Sequence, residues 1–354
     1  MSRSAPELAQ EIEGNFSDSP FWQYEKTVGN GRYGLAFLVG QKAGGPTGFR
    51  MVVKVAIRDE IESLRNEISQ LKQLNGAMHI VKMIASADTE FPNRDNNNFP
   101  PVSWAFESSK IRGPILGLEY IDGSNLLDPF RRMQAMRAHM PNRILWSLYL
   151  CLIRACIGMA YPVGAPLMSQ TSTLETVTPD TPPILLKHND IALRNIMIAT
   201  ENKEGEHAIG YIFKLIDFGG ARIVEDRLQG PPENLYRISQ AISVFITGRS
   251  LNILNQPGIY KGSETIGGYL LRLPGRVSRY PWLDPDLAGF MAECMYTDPA
   301  KRPDLQRALT VATNAVANKT HDMFPNPDEE TDEAIEAFLQ AYVPDSPPIP
   351  IMVN

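Results

Sequence analysis

The sequence is poor in cysteine, which limits the crosslinks and redox chemistry open to the chain. Its 354 residues include 3 cysteines, Cys151, Cys156 and Cys294. An odd number argues against a disulfide framework, and the spacing matches no common metal-binding or redox motif. The sequence therefore predicts neither disulfides nor a cysteine-based metal or redox site.

An excess of positive charge is also absent. Lysine and arginine total 34 against 40 aspartates and glutamates, so the formal net charge is −6 at pH 7. No basic run alternates with aromatic residues, as expected of a surface that binds nucleic acid. We therefore expect no nucleic-acid partner.

No segment has the pattern of a targeting or membrane sequence. Residues 1–20 are polar and acidic, unlike a signal peptide. The most apolar long run, 144–161, contains Arg154 and is predicted to be a buried helix rather than a membrane span. We expect a soluble, cytoplasmic protein without a membrane partner, with the nucleus as a second location; the sequence predicts no oligomeric state.

The patterns that are present indicate an α+β fold. Strand-like patterns occupy much of 21–121, interrupted by one amphipathic helical pattern at 59–75, and helical patterns dominate the later part of the chain. This order predicts a small antiparallel sheet and a larger, mainly helical part. The predicted units are an N-terminal extension (1–20), a sheet-rich lobe (21–121), a helical lobe (122–318) and a C-terminal acidic helix with a proline-rich tail (319–354).

Two further segments carry expectations of their own. Residues 164–183 are rich in Ser, Thr and Pro, which predicts a flexible surface insertion. Near the C-terminus, Ile335, Phe338, Leu339 and Tyr342 form one apolar stripe at helical spacing. Such a stripe usually packs on a core, so this helix is expected to dock on the rest of the chain.

A glycine-rich turn separates the first two predicted strands. The stretch "VGNGRYGLA" places Gly29, Gly31 and Gly34 in a G-x-G-x-x-G pattern, followed by Ala36. A strand follows, where a dinucleotide-binding motif would need a helix, so that interpretation fails. Two interpretations remain: an ordinary hairpin turn, or a loop whose backbone N–H groups approach phosphates.

A lysine and a glutamate follow that loop in positions where they could meet. Lys54 lies in the middle of the apolar strand "MVVKVAI", from which its ammonium could reach phosphates under the loop. Its flexible side chain would then need a counter-charge. Glu67 lies near the helix face marked by Leu64, Ile68 and Leu71. Solvated side chains are the ordinary alternative for both residues.

Three polar residues later in the chain complete the pattern. In "KHNDIALRNIMI", Asp190 lies on a loop between short strands, where a carboxylate can accept a proton from a hydroxyl. Asn195 can supply an amide oxygen to Mg²⁺, which favours hard oxygen ligands. Asp217, in "KLIDFGG", ends an apolar strand beside two glycines and can approach a metal closely. An Asx-rich turn is the alternative for the first two.

Five elements occur in order: the glycine-rich loop, the strand lysine, the helix glutamate, the H-x-D-x-x-x-x-N stretch and D-F-G. Together they resemble the eukaryotic protein-kinase-like superfamily. The resemblance covers roughly residues 21–315. It includes "LEYIDGSNL", which is similar to the hinge that binds adenine, and "MYTDPAKRPD", which is similar to the late motif with a buried arginine, here Arg302. The resemblance implies a bilobal protein-kinase-like fold, with a small antiparallel N-lobe and a larger helical C-lobe.

The resemblance also implies cofactors and roles. ATP and Mg²⁺ would be bound, Lys54 would pair with Glu67 and the phosphates, Asp190 would act as the base, and Asn195 and Asp217 would hold the metal. Leu118 would be the gatekeeper, and the backbone of Glu119 and of Ile121 would contact adenine. The residues implied at the ATP site are Gly29, Asn30, Gly31, Gly34, Ala36, Lys54, Leu118, Glu119, Ile121 and Asn125.

The sequence departs from the family pattern at two places. Asn189 replaces the arginine that commonly binds a phosphorylated activation loop, and an amide cannot form a bidentate phosphate pair. The segment after Asp217 is short. Residues 231–233, "PPE", could be a degenerate form of the family's A-P-E motif. We prefer the alignment in which A-P-E is absent and the next helix begins after Glu233, with Asn234 in a capping position. On that alignment Arg302 is expected to lack its usual glutamate partner.

The family resemblance, and the two departures of this sequence from it, lead to three expectations about the phosphoryl acceptor. An active phosphotransferase acting on a protein hydroxyl, of Ser/Thr type, is the first expectation. The short segment makes a small-molecule hydroxyl, as in aminoglycoside- and choline-kinase-like enzymes, the second. A nucleotide-binding pseudokinase or scaffold is the third.

Overall fold

The computed structural model describes residues 5–17, 19, 22–31, 34–42, 49–57, 60–88, 113–166, 171–200, 204–249, 257–271, 278–343 and 351–352. Its α-helices there are α1 Ala5–Ser17, α2 Ile61–Leu74, α3 Leu127–Met136, α4 Asn142–Ala160, α5 Pro231–Thr247, α6 Pro285–Cys294, α7 Leu305–Asn318 and α8 Asp332–Tyr342. Its strands are β1 Trp22–Gly31, β2 Gly34–Gln41, β3 Arg50–Ala56, β4 Met83–Asp88, β5 Pro114–Glu119, β6 Leu186–Lys187, β7 Ile196–Thr200, β8 Tyr211–Leu215, β9 Arg222–Ile223, β10 Gly258–Tyr260, β11 Ser263–Thr265 and β12 Ile351–Met352. The predicted α+β class is confirmed.

The main sheet has the strand order β12-β1-β2-β3-β5-β4. Strands β1 to β5 pair with one another in antiparallel fashion, and β12 runs parallel to β1. In β3, Val53 and Val55 are buried, and strand alternation therefore directs Lys54 to the opposite face. Lys54 lies between Ala36 of β2 and Leu116 of β5, at the centre of the sheet.

The predicted N-terminal extension forms helix α1, which packs on the sheet. Leu8, Ile12 and Phe16 recur every four residues along α1 and are buried with Trp22 and Phe37 of the sheet. This spacing gives a helix one apolar stripe, a signal that is readable in the sequence. The helix therefore covers an apolar face of the sheet that would otherwise meet water.

We expect Ile12→Ala to destabilise the protein by about 2–5 kcal/mol, because Ile12 is fully buried and truncation leaves a cavity. Urea unfolding followed by circular dichroism measures the change. The control is Glu13→Ala, at the neighbouring exposed position, which should stay within about 0.5 kcal/mol of the parent. Equal stability of the two variants would show that α1 does not support the sheet.

Helix α4 forms the centre of the second and larger core. Among the described residues, Asn142–Ala160 is the one helix long and apolar enough to cross a membrane, and 94% of its apolar window is buried inside the protein. The core around it takes side chains from every helix after α1 and from the β7–β8 hairpin. The prediction of a buried helix is confirmed, because neighbouring elements cover it on all sides.

The segment predicted as a flexible insertion is bound to the rest of the chain. Thr173 pairs with the backbone at 76–78, and Ala165 donates its N–H to the carbonyl of Asn75. Glu175 is 2% exposed and accepts hydrogen bonds from His79. Its backbone pairing and its buried carboxylate make this segment part of the fold; residues 167–170 lie outside the described part.

The C-terminal helix docks as predicted. Ile335 and Leu339 of α8 are buried in the larger core, with Phe338 and Tyr342 packed at its edge. Ahead of the helix, buried Glu330 accepts hydrogen bonds from the start of α4. Of the predicted proline-rich tail, residues 344–350 and 353–354 lie outside the described residues, and residues 351–352 form β12, which pairs with β1.

Candidate functional site

Lys54, Glu67 and Asp217 meet from three separate segments. The Nζ of Lys54 donates to Oε2 of Glu67 at 2.6 Å and to Oδ1 of Asp217 at 2.7 Å. Lys54 projects from β3, Glu67 from the buried face of α2, and Asp217 follows β8. Glu67 is 1% exposed and Asp217 is 26% exposed, so one carboxylate is internal and the other faces an opening.

The electrostatics of this trio depend on burial and on its one cation. Burial disfavours charge on Lys54, but Glu67 and Asp217 outweigh it and hold the pKa of Lys54 above its usual range. Burial raises the pKa of Glu67 against the attraction of Lys54, and repulsion from Asp217 adds to that rise. Burial alone would raise the pKa of Asp217, yet Lys54 lowers it. At neutral pH, Lys54 is therefore cationic and Asp217 anionic.

The β7–β8 hairpin explains why Asn195 and Asp217 meet. Ile196, the first residue of β7, pairs with Leu215, the last residue of β8. The residues just before β7 and just after β8 therefore lie side by side, and the N–H of Ile216 donates to the carbonyl of Asn195 at 3.0 Å. The strands place two predicted metal-site residues at the same end of one hairpin.

Asp190 lies beside this hairpin end, between an amide and a guanidinium. The Nδ2 of Asn195 donates to Oδ2 of Asp190 and to its backbone carbonyl, both at 2.9 Å. This leaves the side-chain oxygen of Asn195 to face elsewhere. The Nη2 of Arg194 donates to both carboxylate oxygens of Asp190, at 2.5 and 2.7 Å. Asp190 is 28% exposed and Arg194 is 44% exposed, so this ion pair lies at the surface of the opening.

Three residues without a predicted site role fix the loop that carries Asp190. His188 is fully buried, and burial lowers its pKa, so its imidazole is neutral. Its Nε2 bonds to the carbonyl of Ile216 at 3.1 Å, and its Nδ1 accepts the N–H of Asp190 at 3.2 Å. Phe218 packs edge-on against His188, and Asn234 of α5 accepts the N–H of His188.

Backbone strain marks the same place. Among the described residues, five that are not glycine have a positive φ, and two of them are Asn189 and Asp217, each at 65°. Asparagine and aspartate tolerate this left-handed region better than other residues. Such conformations persist where the surrounding structure holds them, and they concentrate at functional sites.

The glycine-rich pattern forms a hairpin between β1 and β2. Gly31 pairs with Gly34, and Gly29 lies opposite Ala36. Gly34 has a local reason to be glycine, because a Cβ there would lie 2.4 Å from the carbonyl oxygen of Val55. The side chain of Asn30 and the turn at 32–33 lie outside the described residues, so their predicted contact with phosphates stays a prediction.

The predicted hinge follows β5 directly. Leu118 is buried, and the side chain of Glu119 pairs with Lys214 at 2.8 Å and accepts the N–H of Lys82. The Glu119 carboxylate thus has a structural role, which leaves its backbone for the predicted contact with adenine. The backbone N–H of Ile121 has no hydrogen-bond partner in the described part of the chain.

Asn125 has a local partner of its own. It is 3% exposed, and its Oδ1 accepts the N–H of Leu127 at the start of α3 at 2.9 Å. Its amide nitrogen would therefore be the atom available to contact a bound cofactor.

Two expectations about the segment after Asp217 are wrong. Helix α5 begins at Pro231 and contains Glu233, so Asn234 lies in its first turn rather than at its cap. Arg302 has a glutamate partner, because its Nη1 lies 3.1 Å from Oε2 of Glu233. The helix starts early because proline suits the first helical positions, where no N–H partner is needed.

The same segment is held against both sides of the site. The Nδ2 of Asn189 donates to the carbonyl of Gly220 at 2.9 Å. From α2, Ser63 donates to the carbonyl of Gly219 and Asn66 to that of Ala221 at 2.8 Å. Asn189 therefore binds the segment after Asp217 directly. In the family that the sequence resembles, an arginine and a phosphate commonly make this connection.

Comparison with known proteins adds no assignment to this geometry. No model of a known protein family matches the sequence. No curated protein matches it significantly. The interpretation of the site therefore depends on its own residues.

Proposed function

We propose that the chain is an ATP- and Mg²⁺-dependent phosphotransferase of protein-kinase-like fold, which moves the γ-phosphoryl group of ATP to a hydroxyl acceptor. The observation that supports this most is the trio of Lys54, Glu67 and Asp217 beside Asn195 and Asp190. The sheet supplies the lysine and α2 its partner, while Asn195 and Asp217 flank the β7–β8 hairpin and Asp190 lies beside its end.

The donors at the hairpin end suit a magnesium ion. Mg²⁺ prefers carboxylate and amide oxygens, and Asp217 and Asn195 offer one of each. In the described part of the chain, Oδ2 of Asp217 has no hydrogen-bond partner, and Nδ2 of Asn195 is occupied by Asp190, which leaves its oxygen. The bound ion would neutralise charge on the transferred group.

The protein's own groups would do the rest by position and charge. Lys54, held by Glu67, would donate to phosphate oxygens under the β1–β2 hairpin, and the free N–H of Ile121 would orient adenine. Asp190 would accept the proton of the acceptor hydroxyl, within the reach that a general base needs. Arg194 donates to both oxygens of Asp190, so the acceptor hydroxyl would compete with it for this carboxylate.

Two observations favour a protein hydroxyl as acceptor. Ile223 and Leu228, on the segment after Asp217, are 58% and 39% exposed, and such apolar side chains suit a polypeptide better than a charged metabolite. Asp190 and Asp217 already face Arg194 and Lys54, so these two acids provide little net negative charge for a cationic metabolite.

Separate observations favour the other candidates. The short path from Asp217 to α5 favours a small-molecule hydroxyl, since it leaves little surface to hold a peptide. The closed pair of Asp190 and Arg194 favours a nucleotide-binding scaffold, since the base is occupied.

Binding and transfer assays separate the three candidates. A thermal shift with ATP and Mg²⁺ tests binding, where ligand at about 100 times Kd should add about 2.7 kcal/mol of stability. Radiolabelled ATP with generic protein substrates, and then with a panel of hydroxyl metabolites, tests transfer. Label on protein supports the proposal, label on metabolites alone supports the second candidate, and binding without transfer supports the third. No binding would contradict all three.

A further inference from the structure

A second polar cluster lies in the larger core, apart from the proposed catalytic site. His79, Cys151 and His207 are each at most 7% exposed, and one ligand atom from each lies within 4.8 Å of the other two. They come from the segment after α2, from α4, and from the turn between β7 and β8. Buried groups of this kind have to be paired or to bind a cation.

The spacing of the two imidazoles suits a shared metal ion. Nε2 of His79 lies 3.1 Å from Nε2 of His207. Two nitrogens on one tetrahedral zinc, with Zn–N bonds of about 2.0–2.1 Å, are separated by about 3.3 Å. Two imidazoles, a thiolate and one more donor form a common ligand set for zinc. The observed distance therefore needs only a small adjustment to admit an ion.

The surroundings of His79 have the arrangement found behind metal-bound histidines. Its Nδ1 lies 2.7 Å from Oε2 of Glu175, and its backbone N–H donates to the other carboxylate oxygen. A carboxylate that accepts the far N–H of a ligating imidazole fixes the tautomer and directs the opposite nitrogen at the metal. Glu175 is itself buried, which accounts for the binding of its segment to the core.

Glu206 offers a fourth donor, and nearby charged groups balance the charge of an ion. Oε1 of Glu206 lies 4.0 Å from Nε2 of His207, and Arg154 holds the Glu206 carboxylate. Arg154 already neutralises one negative charge, so the thiolate of Cys151 and the carboxylates of Glu206 and Glu175 together balance a divalent ion and this guanidinium. Binding of the metal would itself release the thiol proton of Cys151.

We infer that His79, Cys151 and His207, with Glu206 as a fourth donor within reach and Glu175 as the orienting carboxylate, bind one structural Zn²⁺ ion. This site is chemically distinct from the proposed magnesium site, because it uses nitrogen and sulfur where Mg²⁺ requires oxygen. The inference does not depend on the proposed function.

The position of the cluster shows what the ion would hold together. The carbonyl of His79 accepts the N–H of Leu215, and the N–H of Val81 donates back to the carbonyl of Leu215. Leu215 ends the strand that leads to Asp217. The ion would therefore join the segment after α2, the central helix α4 and the hairpin that carries Asn195 and Asp217.

Metal analysis of the full-length protein tests the site. Protein expressed with added zinc and dialysed against a weak chelator should retain about one zinc per chain, measured by plasma mass spectrometry. Cys151→Ser should lose it, while Cys156→Ser, a buried cysteine of the same helix outside the cluster, should keep it. Glu175→Gln should weaken zinc binding by about 10–100-fold while retaining the ligands.

A cobalt titration of the unmutated protein keeps the test independent of how the variants fold. Binding of Co²⁺ by Cys151 should give a thiolate-to-cobalt charge-transfer band, and Zn²⁺ should displace it. Protein that holds no zinc and shows no such band would overturn the inference, leaving a hydrogen-bonded relay from Glu175 through His79 to His207. Retention of zinc by both cysteine variants would overturn it as well.

Discussion

Asp217→Asn should abolish Mg²⁺-dependent phosphoryl transfer while the chain stays folded. Asparagine keeps the size of the side chain but removes the anion that we propose binds the metal, and an amide is a weaker ligand for Mg²⁺. Lys54 would keep Glu67 as a counter-charge, so the buried lysine stays paired. Turnover of radiolabelled ATP across a magnesium titration measures the effect.

The control for this substitution is Glu225→Gln, at an exposed position on the segment after Asp217. It removes one negative charge from the same region and should leave turnover unchanged. Full activity of Asp217→Asn would show that the metal assignment is wrong. Loss of activity together with loss of the cooperative unfolding transition would instead make Asp217 a structural residue.

Asp190→Asn should lower kcat by about 10²–10⁴, the usual contribution of a positioned general base. Affinity for ATP should stay near that of the parent protein, because the residues proposed to bind the nucleotide are untouched. Steady-state kinetics with the best acceptor gives kcat, and thermal shift against ATP concentration gives Kd. The combination of low kcat and retained binding separates a base from a binding residue.

Asp180→Asn is the matched control for the second substitution. Asp180 is exposed and has a left-handed φ of 59°, a conformation that asparagine also tolerates. Its kcat should equal that of the parent. If Asp190→Asn keeps its kcat, Asp190 is not the base; if it loses ATP binding in parallel, the loop around His188 and Asn195 depends on it structurally.

The site residues were predictable where local pattern decides the structure. Strand alternation in β3 fixes the side of the sheet on which Lys54 projects, and the apolar face of α2 determines the orientation of Glu67. The order of the motifs then implied that these residues share a site with Asp217. Periodicity reveals which face of an element is buried. The pairing of Lys54 with Glu67 was implied by the resemblance, and the ion pair of Lys54 with Asp217 was not predicted.

The remaining features depend on contacts between distant parts of the chain. The pair of Glu233 with Arg302 agrees with the A-P-E alignment that we did not prefer, because local pattern did not decide between the two alignments. No spacing motif links His79, Cys151 and His207. Residues 164–183 have the composition of a loop, but the burial of Glu175 depends on a histidine from another segment. Helix α1 is different, because its four-residue apolar spacing was readable and was missed.

The hydrogen bonds from Ser63 and Asn66 couple α2 to the segment after Asp217. Displacement of α2 would withdraw Glu67 from Lys54 and at the same time pull on Gly219 and Ala221. Thermodynamic linkage makes this relation reciprocal: a ligand that orders the chain around Asp217 restrains α2, and a partner that shifts α2 weakens that ligand by the same factor. A molecule bound to the outer surface of α2 would therefore act on the site both through Glu67 and through this segment.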